Sequence, residues 1–405
     1  MTEGRPLTVL CLASWEKGEA FMRECKRQGA KVLLLTVPQL KDAGWPRDAI
    51  EEIFYVEPSE HGQMKRDDVI KGVSFLHRTR HIDRIVALDD FDVETAAALR
   101  EHLRVPGMGD TTARYFRDKL AMRFKAKSVG VPVPDFVPVL HYETIAKYLE
   151  RVPGPWLLKP RGEASAIGIK KIERAADLWP ILEQLGDRQS FYVLERFLPG
   201  EIYHVDSIVS EREVVFAVPH KYLRAPMEVS HHGGVSGTRN LPLKSDDAKA
   251  LLEINRELLA GLGKVRGVAH SEFIKAKEDG RFYFMETSAR VGGAHTVEVV
   301  EAATGVNLWA EWARIEINRG KTPYELPSKR YEYAGIAISL ARQETPDTSA
   351  YTDAEIVWRM AKKNHVGLIV RSKSYERVEH LLAEYTRRFQ QDFLAVEALP
   401  EKPWH

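Results

Sequence analysis

The chain has 405 residues, 44% of them hydrophobic and 29% charged, with Lys+Arg 59 against Asp+Glu 58 and a formal net charge of +1. That length suits about two to four domains with sizeable cores, and near neutrality excludes the strong electrostatic footprint of a nucleic-acid-binding protein. Two cysteines, Cys11 and Cys25, are too few for a disulfide framework and sit in no metal-binding spacing. No apolar run approaches the roughly 18 residues that span a bilayer, and the first, 7–13, has neither the charged flank nor the cleavage site of a leader. A cytoplasmic enzyme or binding protein with no membrane partner is expected.

Over the first third, short apolar runs alternate with helical patterns. Residues 7–13, 31–37, 53–57 and 84–89 read as strands, and 16–28, 67–80 and 93–103 as helices between them. This is the pattern of an α/β fold, a parallel sheet covered on both faces. A Rossmann-like domain over 1–110 is therefore expected. The residues after the first strand, Ser14-Trp15-Glu16-Lys17-Gly18, lack G-x-G-x-x-G, so nicotinamide binding is not supported, and a Walker P-loop is absent as well. Residues 111–128 read as one helix, stopped by Val131-Pro132-Val133-Pro134. Strand–helix alternation resumes to about 195, and 202–209 and 213–218 read as further strands. Residues 224–241, with His231-His232-Gly233-Gly234 and few apolar side chains, read as a loop over a cleft. A helix at 248–262 precedes a hairpin, and another follows it at 297–303. From about 328 a small α/β unit restarts, with strands at 331–340 and 367–370 and an amphipathic helix at 374–389. No internal repeat interrupts this order.

Residues 267–293 carry the densest chemistry. If Asp279-Gly280 were a two-residue turn, Glu272 would pair with Thr287 and Glu286 would point to the other face. If Glu278-Asp279-Gly280 is a three-residue loop with Gly280 left-handed, Glu272 sits opposite Glu286. The second register puts His270, Glu272, Glu286, Ser288 and Arg290 on one face, because the side-chain period is two. Phe282 and Phe284 would then pack beneath the site on that same face. Opposed carboxylates lie about 5 Å apart at Cβ and repel. A hard divalent cation such as Mg²⁺ would remove the repulsion, and it commonly accompanies nucleotide phosphates. Arg290 would complete a site for phosphate transfer.

Lys159, at the end of the strand 156–158, is placed to meet a phosphate as a point charge. The small-residue loop from Glu163 through Ser165 to Gly168 can bring backbone N–H groups near anionic oxygens; an ordinary strand end and turn is the plainer alternative. The linker Glu195-Arg196-Phe197-Leu198 could bond a purine edge, and Glu201 the ribose hydroxyls, unless they are simply solvated acids beside a turn. Lys119 follows Asp118 on a charged helix. His231 and His232 are either ligands or polar loop residues. His270, Gly292, Gly293 and His295 lie near the hairpin and are candidate substrate contacts.

Taken in order from about 110 to 320, these features resemble the ATP-grasp superfamily. Asp118-Lys119 is similar to that family's first phosphate-binding lysine. Lys159-Pro160 with the loop 163–168 resembles its second lysine and phosphate lid, and 195–198 its adenine hinge, with Glu201 near the ribose. Glu272 and Glu286 fall where the family holds its metal. The family's last signature is Glu-x-Asn-x-Arg; here Glu286-Thr287-Ser288-Ala289-Arg290 places a serine, a weaker ligand, at the asparagine position. His270-x-Glu272, Glu-x-x-x-Arg-x-Gly-Gly and Ala303-Thr304-Gly305-Val306-Asn307-Leu308 look most like the L-amino acid ligase branch, although the flanking units also resemble those of biotin carboxylase.

The resemblance implies an α+β ATP-grasp domain over 111–325 with a lid at about 130–195, and a C-terminal α/β subdomain over 326–405. It implies ATP, one or two Mg²⁺ ions (or Mn²⁺), and small-molecule carboxylate and amine substrates joined through an acyl phosphate with release of ADP and phosphate. Arg290, Glu286 and Lys159 would be catalytic, Glu272, Glu286 and Ser288 metal-binding. A bicarbonate-activating enzyme, or a nucleotide-binding protein without turnover, is the alternative. Neutral balance and large apolar faces suit a homodimer.

Overall fold

The computed structural model describes residues 5–60, 62–163, 167–318, 320, 322–327 and 329–395. Strands β1 (Thr8–Ala13), β2 (Lys31–Thr36), β3 (Glu52–Tyr55) and β4 (Arg84–Ala87) form a wholly parallel sheet in the order β3-β2-β1-β4. Every residue of β1 is buried, as an apolar strand covered on both faces requires. Helices Glu19–Arg27, Arg66–His77 and Val93–Leu103 supply the cover. The strand order reverses between β1 and β4, so the loops after their carboxyl ends flank a crevice of the kind where such sheets bind ligands. Asp89 and Asp90 lie on the second of these loops.

Strands β5 (Phe136–Pro138), β6 (Trp156–Pro160), β7 (Lys170–Ile172) and β8 (Tyr192–Arg196) make a second, antiparallel sheet in the order β5-β8-β6-β7. Helices Tyr142–Arg151 and Leu178–Leu185 pack on it around Ile145, Tyr148, Leu178 and Leu182.

The third sheet is the largest. Strands β9 (Gly200–Ser210), β10 (Glu213–Tyr222), β11 (Ser236–Asn240), β12 (Gly267–Ala276), β13 (Phe282–Ser288), β14 (Tyr333–Leu340), β15 (Ile356–Arg359) and β16 (His365–Ser372) form one 8-stranded sheet, order β13-β12-β9-β10-β11-β14-β16-β15. The expected boundary near 325 therefore falls within continuous architecture: β14 pairs directly with β11, from Ser236↔Ile338 to Arg239↔Gly335.

Two elements depart from the expectation. The helix expected over 111–128 is broken into Asp110–Arg114 and Lys119–Ser128, because Asp118 caps the second helix by accepting the Leu120 N–H at 2.9 Å. Lys119 is thus the first residue of a helix rather than a point on a charged face. The segment 224–241 is not a loop: it holds the helix Pro226–His232 and β11. Pro226 opens that helix, where its missing N–H costs nothing.

Candidate active site

The hairpin of β12 and β13 sets the geometry. Its loop comprises residues 277–280, one residue longer than expected, closed by Ala276 N–H donating to the Arg281 carbonyl at 2.9 Å, with Gly280 at φ 69°. The ladder runs Lys275↔Phe282, Ile274↔Tyr283 and Phe273↔Phe284, then skips Met285 and resumes at Glu272↔Glu286. The longer loop alone would set Glu272 against Met285. The β-bulge absorbs the extra residue and restores the opposition of the two carboxylates.

The bulge also corrects the expectation for Phe282 and Phe284. They do not share the carboxylate face. They lie with Phe273 in the core, where the Arg123 guanidinium sits 5.6 Å from the Phe284 ring. Met285 instead turns into the cleft beside Glu286.

That cleft has a volume of about 720 Å³ and is lined by the second and third sheets and by the segment after β4, from Asp90 through Lys159 and Glu195 to Glu272, Glu286, Arg290 and Ile336. Glu272 accepts a hydrogen bond from the Tyr222 hydroxyl at 2.7 Å, and His270 Nε2 lies 3.5 Å away. Burial would raise the Glu272 carboxyl, but His270 and Tyr222 outweigh it and hold the group at about 2. Burial would equally lower the His270 imidazole; the Asp206 and Glu272 carboxylates raise it to about 10 instead. Glu286 meets Lys119 Nζ at 2.7 Å.

Lys159 Nζ lies 2.8 Å from Glu195, and Arg123 Nε lies 2.8 Å from its other oxygen. Glu195 is 1% exposed. Both are close ion contacts that fall outside hydrogen-bond geometry. Burial pushes the Glu195 carboxyl up, yet Arg123 and Lys159 together bring it down to about 2. Glu195 therefore fixes Lys159 in place from below.

The other residues of the linker divide. Leu198 packs with Ile202 and Ile274 in an apolar slot that Met285 adjoins. Arg196 pairs with Glu278 on the hairpin loop, and the Phe197 amide donates to the Pro155 carbonyl at 2.9 Å. Glu201 does not line the cleft. Gly200 and Ile202 do, so strand alternation turns Glu201 to the far face. There it pairs with Lys221 at 2.6 Å and accepts from the Tyr203 hydroxyl at 3.1 Å. Ser165 lies outside the described residues. Gly168 has φ 71° between Ile167 and Ile169, which line the cleft.

Ser288 and Arg290 converge on Asp90 from the N-terminal sheet. The serine hydroxyl donates to Asp90 Oδ2 at 3.1 Å, and the Arg290 guanidinium forms an ion pair with the same oxygen. Burial raises the Asp90 carboxyl, but Arg290 and Arg117 draw it below its usual range. Gly293 lines the cleft, whereas Gly292 packs against His270 and Asp206. His295 turns away from the cleft lining: it is left-handed at φ 60°, contacts Glu298 at 3.4 Å and lies 4.6 Å from the Trp358 ring. The backbones of His231 and His232 belong to the helix Pro226–His232, and their side chains lie outside the described residues.

Sequence reasoning missed Asp90, Tyr222, Arg123 and Asp206. Asp90 was findable from its place just after the strand at 84–89, beside the switch point of a parallel sheet. His204 and Asp206 stand at alternate, buried positions of β9, which is itself a signal of buried polar contacts.

The donor set at Glu272 and Glu286 consists of carboxylate oxygens on one face, which fits a hard divalent cation. Among the described residues the other ligand-type cluster is His204, Asp206 and His270, whose polar atoms lie within 4.8 Å of one another.

No protein-family profile matches the chain. It is 26% identical over 247 residues to an L-arginine-specific L-amino acid ligase of Bacillus subtilis, covering 58% of this chain and 58% of the relative. It is also 26% identical over 227 residues to a D-alanine–D-alanine ligase of Ralstonia pickettii, covering 53% and 67% respectively. The chain thus spans less than two thirds of the first relative's length. In structure it is similar to an L-amino acid ligase from Bacillus licheniformis, with TM-score 0.74 and 18% identity over 97% of this chain and 99% of that one. No helix among the described residues is long and apolar enough to cross a membrane. In sequence the chain is thus similar to ligases of amino acids, and in fold to a solved L-amino acid ligase.

Proposed function

We propose that the chain is an ATP-dependent ligase that joins a carboxylate to an amine, with amino acids as the substrate class, through an acyl phosphate and with release of ADP and phosphate. The observation that carries this reading is the opposition of Glu272 and Glu286 on one cleft face, with Lys119, Lys159 and Arg290 around them.

The apolar slot of Leu198, Ile202, Ile274 and Met285 suits a flat heterocycle. Lys119, at the start of its helix, and Lys159, braced by Glu195, would carry the non-transferred phosphates. Glu272 and Glu286 would hold Mg²⁺, for which Mn²⁺ can substitute; when bound, the ion offsets charge on the phosphate oxygens. Arg290 would hold the transferred phosphoryl group and then the negatively charged tetrahedral adduct. Asp90 orients that guanidinium from the N-terminal side. No side chain needs to act as a covalent nucleophile: the substrate carboxylate attacks the γ-phosphorus, ADP leaves, and the amine displaces phosphate from the acyl carbon.

The test is ADP release across single amino acids, small carboxylates and their pairs. Release that requires both members of a pair is expected. Glu286→Gln and Arg290→Ala should each lower it by at least about a hundredfold, the scale seen when a charge-stabilising group is removed. Near-normal turnover in either variant would remove the site assignment. Stimulation by bicarbonate in place of an amine would move the reading to carboxylation.

A further inference from the structure

Beneath the two carboxylates lies a buried cluster that the proposed chemistry does not use. Asp206, at 0% exposure, has one oxygen 2.7 Å from His204 Nδ1 and the other 2.9 Å from His270 Nδ1. A carboxylate can only accept, so both imidazoles present Nδ1–H to it. This fixes the His270 ring, whose Nε2 faces Glu272 at 3.5 Å, while Tyr222 holds the same Glu272 oxygen from its other side at 2.7 Å. The backbone following Arg290 rests on the same pair. A Cβ added at Gly292 would stand 2.8 Å from His270 Nδ1 and 2.9 Å from Asp206 Oδ1.

We propose that Asp206, acting through His270, is the positioning residue that sets the Glu272 carboxylate for metal binding and seats the loop carrying Arg290 and Gly292. Residues of this kind orient a ligand without touching the ion, and losing them typically weakens metal affinity about 10- to 100-fold. The same three side chains could instead ligate a cation themselves. Both Asp206 oxygens, however, are already bonded to imidazole nitrogens, and a shared ion would have to displace those bonds.

The inference rests on Glu272 being a metal ligand, and the experiment separates the two. Mn²⁺ binding to the full chain with ADP is followed by electron paramagnetic resonance, alongside melting temperature and the metal content of purified protein. His270→Asn keeps a donor at the Nδ1 position but loses the contact to Glu272. His270→Gln keeps a donor near the Nε2 position. Asp206→Asn breaks the anchor. His270→Asn and Asp206→Asn should each bind Mn²⁺ about tenfold more weakly or worse; His270→Gln, which also loses the bond to Asp206, should fall no closer to wild type than Asp206→Asn, with melting temperatures largely kept.

Affinity within about twofold of wild type in both weakened variants would overturn the positioning role. So would losses that track a collapse of melting temperature in all three variants, or stoichiometric zinc in the purified wild type. Wild-type Mn²⁺ affinity in Glu272→Gln would instead overturn the site reading on which the inference stands.

Discussion

Lys119 and Lys159 are each held by a carboxylate, but the two pairs differ in depth. The Glu286 side chain is 33% exposed and that of Glu195 only 1%. A buried anion between two cations is costly to break, because removing one partner strands the others in low dielectric. Glu195→Gln should therefore destabilise the fold by about 3–5 kcal/mol, read from denaturant midpoints. Acid should reveal the same pair. The Glu195 carboxyl falls from 4.5 to about 2 on folding, so its contribution is fully present above its unfolded value. It is lost as pH drops through that interval toward about 2. The Glu195→Gln variant should lack this component of acid sensitivity, and equal acid sensitivity in both proteins would contradict it. In the sequence Lys159 stands out at a strand end, whereas Lys119 is singled out only through the resemblance. Glu195 as the brace of Lys159 was not legible, since the pairing joins neighbouring strands β6 and β8 and no local spacing reveals it.

At the scale of the hairpin, the carboxylate pairing could be read from the sequence while its cause could not. Alternation correctly brought Glu272 to Glu286, yet the loop is longer than expected and the bulge at Met285 compensates. Two errors cancelled at the carboxylates and surfaced at Phe282 and Phe284, which lie on the loop side of the bulge and so swap faces. Glu201 failed for a related reason: its type suggested a ribose contact, but period two on β9 sends it away from Gly200 and Ile202. Gly280 is the part of the loop with a strict backbone demand, at φ 69° with nothing near an added Cβ. Gly280→Ala should therefore cost only the backbone strain, about 1 kcal/mol, seen as a small drop in melting temperature with Mn²⁺ affinity unchanged. A loss of metal binding there would mean the loop, rather than the bulge, sets the register.

Across the whole molecule, the parallel N-terminal sheet was legible because its strands are short apolar runs between amphipathic helices. The joining of the C-terminal strands to the central sheet was not, because β11 pairs with β14 across nearly a hundred positions of chain and no periodicity reports a partner. Truncation after residue 325 should leave a chain that self-associates, measured by light scattering. A monodisperse, nucleotide-binding product would show that the C-terminal unit is dispensable. The reason is the row of main-chain groups on β11 that β14 now covers; stripped of it, that margin becomes a template for adding foreign strands. Swapping whole segments at the apparent domain seam would thus lay that margin bare and favour precipitation. Exchanges confined to the connections above the sheet would leave the ladder shut.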